Sequence, residues 1–248
     1  MDRSREPILN VPAVIVALLA LLGLVHAVRE LLLSPYDDRL FVLTFAFVPA
    51  RYEPSILLGG VLPGGFGAQI WTFVTYALIH ADMTHLAFNG LWLLAFGSPV
   101  ARRFGTVRLL GFFAVTAAAG ALAHLIMHPG ERVVMVGASA AISGMMGAAT
   151  RFAFQSGGSL DFWHARAGDP DRIPAAPLVV ALRNPRVLTF LGVWFALNLL
   201  FGLGSFSIAD YDQNLAWEAH IGGFLAGLLL FSLFDPVPSQ RSDDASYT

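Results

Sequence analysis

Cysteine is absent from the 248 residues. No disulfide framework, thiolate zinc site, iron–sulfur cluster or thiol nucleophile can form, so any side-chain nucleophile must be an alcohol. Lysine is absent as well, and all 15 residues counted as Lys or Arg are Arg. Charge is sparse, at 13% of residues with a formal net charge of -2. No basic stripe is available to hold nucleic acid, and that class is dropped. What is abundant is apolar: 56% of residues are hydrophobic and the mean hydropathy is +0.65. The surface of a soluble domain of this length does not tolerate such values, which describe a membrane protein.

Stretches free of Asp, Glu, Arg and Lys run at 11–28, 85–101, 109–127, 133–150, 187–203 and 219–234. Each approaches the ~20 residues needed to cross the hydrocarbon layer, so the sequence predicts an all-α, polytopic fold with six transmembrane helices. The first follows a polar stretch and lacks a small-residue cleavage site, and is expected to be a retained anchor. The predicted organisation is an N-terminal tail at 1–10, a membrane domain at 11–234 and a disordered tail at 235–248.

Arg3, Arg5, Arg102, Arg103, Arg108, Arg151, Arg166, Arg172, Arg183 and Arg186 all fall in the tail and loops that alternate on one side. By the positive-inside rule these segments, and both termini, are expected in the cytoplasm. The other side has Arg29, Arg39, Arg51 and Arg132, and the loop before the last span holds Asp210 and Asp212. The second, fourth and sixth spans then all enter the membrane from the outer face. The uncharged stretch 54–81 is broken by Gly59, Gly60, Pro63, Gly64, Gly65 and Gly67, which argues against a seventh span. It is expected to form a long first loop, partly embedded, with Trp71 and Tyr76 at headgroup level. Loop 156–186, with Gly157, Gly158 and scattered Pro, is expected to be irregular. No internal repeat is evident, which disfavours a transporter built from duplicated halves.

A strongly polar side chain inside a span costs roughly 2–3 kcal/mol or more, so each needs a reason. Four stand out: His85, Asn89, Ser139 and His220. His85 and Asn89 share one helix face, a turn apart. Ser139 and His220 lie near the starts of the fourth and sixth spans, and the like direction of these spans brings all four to similar depth. Ser139 with His220 makes a nucleophile and general base. No carboxylate lies within the spans to complete a triad, so the expected unit is a dyad whose His is oriented by packing or by a polar neighbour. A helix N-terminus at Ser139 suits a developing oxyanion, to which Asn89 and His85 can donate. Gly223 and Gly227 form a G-x-x-x-G on the face of His220, answered by Ala140, Gly144 and Ala148, which predicts close helix approach.

Other readings compete. A lone Ser or Asn in a span is commonly an interhelical packing or hydrogen-bonding residue. His26, His124 and His128 read as packing residues near helix ends. Ser143, one turn beyond Ser139, is an alternative nucleophile but lacks the helix-terminal position. A metal or haem protein using His80, His85 and His220 is weakened by missing carboxylate or thiolate partners.

Three motifs occur in order: His80-Ala-Asp-Met-Thr-His85-Leu-Ala-Phe-Asn89, Gly137-Ala-Ser139-Ala and Ala219-His220-Ile-Gly-Gly223-Phe-Leu-Ala-Gly227. In them the chain resembles the rhomboid proteases over roughly residues 70–234. The resemblance implies an intramembrane serine endopeptidase in a rhomboid-type bundle, with Ser139 as nucleophile, His220 as base, and His85 and Asn89 completing the oxyanion hole with Ser139. It makes His80 a structural loop residue. It further implies transmembrane protein substrates that approach sideways through the lipid bilayer past Phe88, with loop 204–216 as a cap. No metal or organic cofactor is called for, and the expected location is a bacterial inner membrane. Two positions depart from the family pattern. Ser143 stands where many members have a Tyr that stacks on the His, and the first-loop Trp-Arg pair is here Trp71-Thr72. A catalytically inactive, client-binding relative is the alternative, but such a chain is expected to lack the Ser or the His.

Overall fold

The computed structural model describes residues 11–53, 55, 61–161, 169–202 and 216–238. The tail at 1–10 with Arg3 and Arg5, Pro54, Gly59 and Gly60 of the first loop, and Arg166 lie outside them. So do nearly all of the 204–216 cap with Asp210 and Asp212, and residues 239–248.

Ten α-helices occur among the described residues: α1 Ala13–Leu32, α2 Pro35–Phe45, α3 Gly65–Thr75, α4 Met83–Trp92, α5 Ser98–Phe104, α6 Thr106–Met127, α7 Ser139–Ala149, α8 Leu178–Ala181, α9 Pro185–Gly202 and α10 Trp217–Phe234. α1, α6 and α10 are each long and apolar enough to cross a membrane, and α9 is a shorter apolar helix. A π turn at Leu93–Gly97 joins α4 to α5, so the chain is helical without a break from Met83 to Phe104. At about 1.5 Å per residue that run extends roughly 33 Å.

Local signals set the helix ends. Ser34 caps α2 ahead of Pro35, its Oγ accepting from Asp37 N at 3.2 Å. Asp82 caps α4 by accepting from His85 N at 2.8 Å, which fixes where the His85–Asn89 face begins. Gly105, at φ 74°, separates α5 from α6.

The fourth uncharged stretch differs from its expected span. Residues 133–138 are not helical, and α7 begins only at Ser139. Phe47 and Met135 exchange backbone hydrogen bonds of 3.1 and 2.9 Å, and Gly137 N donates to Tyr76 O at 3.0 Å. The first loop thus occupies the backbone groups that a longer helix would use. Gly137, at φ 115°, makes the turn into α7. All residues of α7 after Ser139 are buried, so protein rather than lipid surrounds this helix and the extended segment before it is tolerated.

Contacts around α7 depend on small residues. A Cβ on Gly223 would lie 2.0 Å from Ala140 O, and one on Gly227 would lie 2.0 Å from Gly144 O. The answering surface on α7 is therefore main chain. Gly144 itself faces Thr116 of α6, and Gly120 of α6 approaches Ala140 and the Ala219 carbonyl. Glycine on α6, α7 and α10 lets the three backbones meet where side chains would hold them apart.

Arg29 and Arg103 are each paired with a carboxylate inside this apolar body. Arg29 of α1 donates to both oxygens of Asp38 at 2.7 and 3.1 Å and to His80 O at 2.7 Å, which ties α1 to α2 and to the loop before α4. Arg103 is fully buried, donates to both oxygens of Asp235 at 2.8 Å and lies over the Phe152 ring. Asp235, expected to open a disordered tail, is held by this pair because a buried guanidinium needs a bidentate counter-charge. Tyr76 also departs from expectation. It is buried, donating its hydroxyl to Ala117 O at 2.9 Å, because Phe47 and α6 cover it. Trp71 is partly exposed and donates to Thr44 O at 3.0 Å.

Replacing Gly227 by Val drives a branched side chain into the Gly144 carbonyl. Thermal unfolding in detergent should show a loss above the ~1–3 kcal/mol usual for overpacking. Gly192→Ala, whose Cβ meets nothing within 4 Å, should leave the midpoint unchanged or slightly raised. Equal midpoints for the two variants would contradict the close approach of α7 and α10.

Candidate active site

Ser139 is the first residue of α7, and His220 lies in the first turn of α10. His220 Nε2 is 2.7 Å from Ser139 Oγ. On the other side of the ring, Nδ1 is 2.5 Å from Asn198 Oδ1, on α9. Asn198 Nδ2 donates to Trp194 O at 2.8 Å, so its amide is turned with the oxygen toward the imidazole. An acceptor at that position requires the proton on Nδ1, which leaves the Nε2 lone pair facing the serine hydroxyl. Trp194 stacks on Phe224 with ring centroids 4.8 Å apart, holding this stretch of α9 against α10. Asn198 and His220 are both buried.

His85 approaches from α4. A Cβ on Gly137 would sit 2.6 Å from His85 Nε2 and 3.7 Å from Ser139 Oγ. The imidazole therefore lies against the bare backbone leading into Ser139, and a residue with a side chain at 137 would displace it. Asn89 is buried one turn along, its Nδ2 donating to His85 O at 3.0 Å. That bond engages one of two amide hydrogens. The first N–H groups of α7 have no intrahelical acceptor, and they point the positive end of the helix dipole toward the same space.

His80 is buried beside this group with its ring edge-on to His85 at 5.1 Å, and its carbonyl receives Arg29. Burial, then the His85, His26 and Arg29 charges, push its pKa down to about 3. It is a neutral part of the loop that leads into α4. Phe88 is 58% exposed on α4. Ser143 is buried one turn beyond Ser139, while the His220 ring is engaged by Ser139 and Asn198. Among the described residues, His80, His85 and His220 do not converge as a metal ligand set.

Two polar residues escaped the reading of the sequence. Asn198 is a strongly polar side chain in the uncharged stretch 187–203, and the same cost argument that singled out Asn89 applies to it. Glu218 precedes the last uncharged stretch by one residue, yet it lies in the first turn of α10, buried, with Oε1 2.5 Å from His124 Nδ1. A carboxylate does sit within this helix, paired with His124 of α6.

A model of the rhomboid domain matches residues 67–235, more than half of the chain. The chain belongs to the rhomboid family. It is 27% identical over 159 residues to rhomboid protease GluP of Bacillus subtilis, covering 63% of this chain and 24% of that protein. It is 26% identical over 253 residues to RHOMBOID-like protein 1 of Arabidopsis thaliana, covering 96% of this chain and 57% of the relative. Rhomboid protease GlpG of Serratia proteamaculans is 25% identical over 162 residues, covering 65% and 47%. The chain thus spans less than two thirds of the length of each of these relatives. Family membership and the apolar helices make it an integral membrane protein of the rhomboid family. The Ser139, His220, His85 and Asn89 cluster falls inside the matched rhomboid segment.

Proposed function

We propose that this rhomboid protein is an intramembrane serine endopeptidase that cleaves transmembrane segments of other membrane proteins. The observation that carries the reading is the chain of contacts Asn198–His220–Ser139, at 2.5 and 2.7 Å inside an apolar bundle. It supplies a base, a nucleophile and an orienting acceptor in one line.

In this mechanism His220 Nε2 takes the Ser139 Oγ proton as Oγ bonds to the substrate carbonyl carbon. Negative charge passes to the carbonyl oxygen, where the Ser139 backbone N–H, His85 and the second amide hydrogen of Asn89 stabilise it. The peptide C–N bond then breaks, and His220 returns its proton to the leaving nitrogen. Water attacks the resulting ester and gives its proton to His220. That proton passes to Oγ as the acyl–oxygen bond breaks, freeing a carboxylic acid and restoring the serine. Asn198 is a positioning residue that holds the tautomer and spreads the imidazolium charge. It contributes as a neutral dipole what a carboxylate contributes in a triad. No step calls for a metal ion or an organic cofactor.

The reading keeps six spans within 11–234, between tails at 1–10 and 235–248. Its supports are α1, α6 and α10, the unbroken helical run Met83–Phe104, apolar α9 and buried α7. The Arg distribution supports both termini in the cytoplasm, with the Ser139 end of α7 toward the outer face. Substrate spans then meet the site sideways from the bilayer, past exposed Phe88.

Ser139→Ala should lower cleavage of a co-expressed single-span substrate at least ~10³-fold while Tm in detergent is kept. Full activity in that variant would reject the assignment. Asn198→Leu should lower kcat about 10- to 100-fold with KM little changed, less than the ~10⁴ lost when a charged orienting carboxylate is removed. Asn198→Asp, which keeps the acceptor, should recover most of that loss. Two Asn198 variants of equal activity would remove its positioning role.

A further inference from the structure

We propose that His124, His128 and Glu218 bind one divalent transition-metal ion of the zinc class, joining the end of α6 to the first turn of α10. Ligand atoms of these three residues all lie within 4.8 Å of one another. His124 and His128 are four apart at the end of α6, so both rings project from one face, and the rings lie 4.7 Å apart. Glu218 meets them from α10. Its single oxygen Oε1 is 2.5 Å from His124 Nδ1 and 3.4 Å from His128 Nε2. Two imidazoles and one carboxylate, with a fourth position toward the partly exposed side of His128, match the donor set of a tetrahedral zinc site.

The hydrogen bonding around the cluster favours a cation over a purely structural contact. Glu131 Oε2 lies 2.9 Å from His128 Nδ1, the arrangement in which an outer carboxylate fixes the tautomer of a ligating imidazole. With the proton held on Nδ1, His128 Nε2 presents a lone pair to Glu218 Oε1, and two acceptors face each other. Only a positive charge between them, a proton or a metal ion, relieves that. His124 Nε2 is buried and has no protein partner, so moving the proton from Nδ1 to Nε2 breaks no other bond. Glu218 and Glu131 together neutralise a divalent ion. Ligands of bonds near 2.0–2.1 Å sit about 3.4 Å apart, so the His124 and Glu218 atoms must open by about 0.9 Å and the two ring nitrogens close by up to about 1.4 Å. His128 is the residue after the last turn of α6, where such movement is easiest.

The site lies two residues before His220 along the chain but shares none of the residues assigned to peptide hydrolysis. Its test therefore stands apart from the protease reading. Titrating ZnCl₂ into the full chain, purified in detergent with any affinity tag removed, should give one ion per chain and a raised Tm. MgCl₂ should do neither, because nitrogen donors do not suit it. His128→Ala should weaken zinc binding at least tenfold and abolish the Tm shift. Glu131→Gln, altering a 51% exposed side chain and no ligand, should weaken it about 10- to 100-fold without loss of folding. The proposal is overturned if the unmodified chain binds no zinc, if both variants bind as tightly as the unmodified chain, or if binding is lost in His85→Ala instead.

Discussion

The close approach of α7 and α10 is the constraint on which the rest of the structure depends. Gly223 and Gly227 set the α10 backbone directly against the Ala140 and Gly144 carbonyls, and this contact fixes how far His220 stands from Ser139. An added methyl on either glycine meets a main-chain oxygen that cannot swing away. The 2.7 Å Ser–His contact is thus a consequence of helix packing between small residues. It needs no flexible side chain to reach across. Burying α7 on all sides has a second effect. The helix can be short and start well inside the protein, with its free N–H groups beside the Ser139–His220 pair instead of in lipid.

Around that contact, three polar pairs in the apolar body tie elements together. Arg29 joins α1, α2 and the turn before α4, and so holds His80 and, through it, the start of the His85 helix. Arg103 joins α5 to the end of α10. Glu218 joins the start of α10 to α6. Both ends of the helix that carries His220 are therefore held by charged or hydrogen-bonded partners, and its middle by glycine contacts. Rotation of α10 about its axis would break all three kinds of contact at once.

Much of this was legible in the sequence because membrane burial makes polar residues conspicuous. His85, Asn89, Ser139 and His220 stood out by cost alone, and the structure brings Ser139 to His220 and His85 to the backbone beside Ser139. Gly223 and Gly227 lie against the Ala140 and Gly144 carbonyls, whereas the side-chain position of Gly144 is turned to Thr116 of α6. What stayed hidden depended on long-range partners. Non-helical 133–138 follows from backbone pairing with Phe47 and Tyr76, residues more than 50 positions earlier, and an uncharged run has no signal for it. Tyr76 reads as an interfacial aromatic, yet its hydroxyl finds a carbonyl on α6. The polar neighbour expected beside His220 carries no position in the sequence, and the group 2.5 Å from its Nδ1 is Asn198 of α9. His124 looked unaccompanied because Glu218, its partner, is 94 residues away.

Labelling the detergent-solubilised chain with a serine-directed, mechanism-based inhibitor and mapping the modified residue tests the central claim most directly. A hydroxyl activated by a buried imidazole should be modified at Ser139 and should lose that reactivity in His220→Ala. Modification at Ser143, or labelling of Ser139 that survives removal of His220, would contradict it.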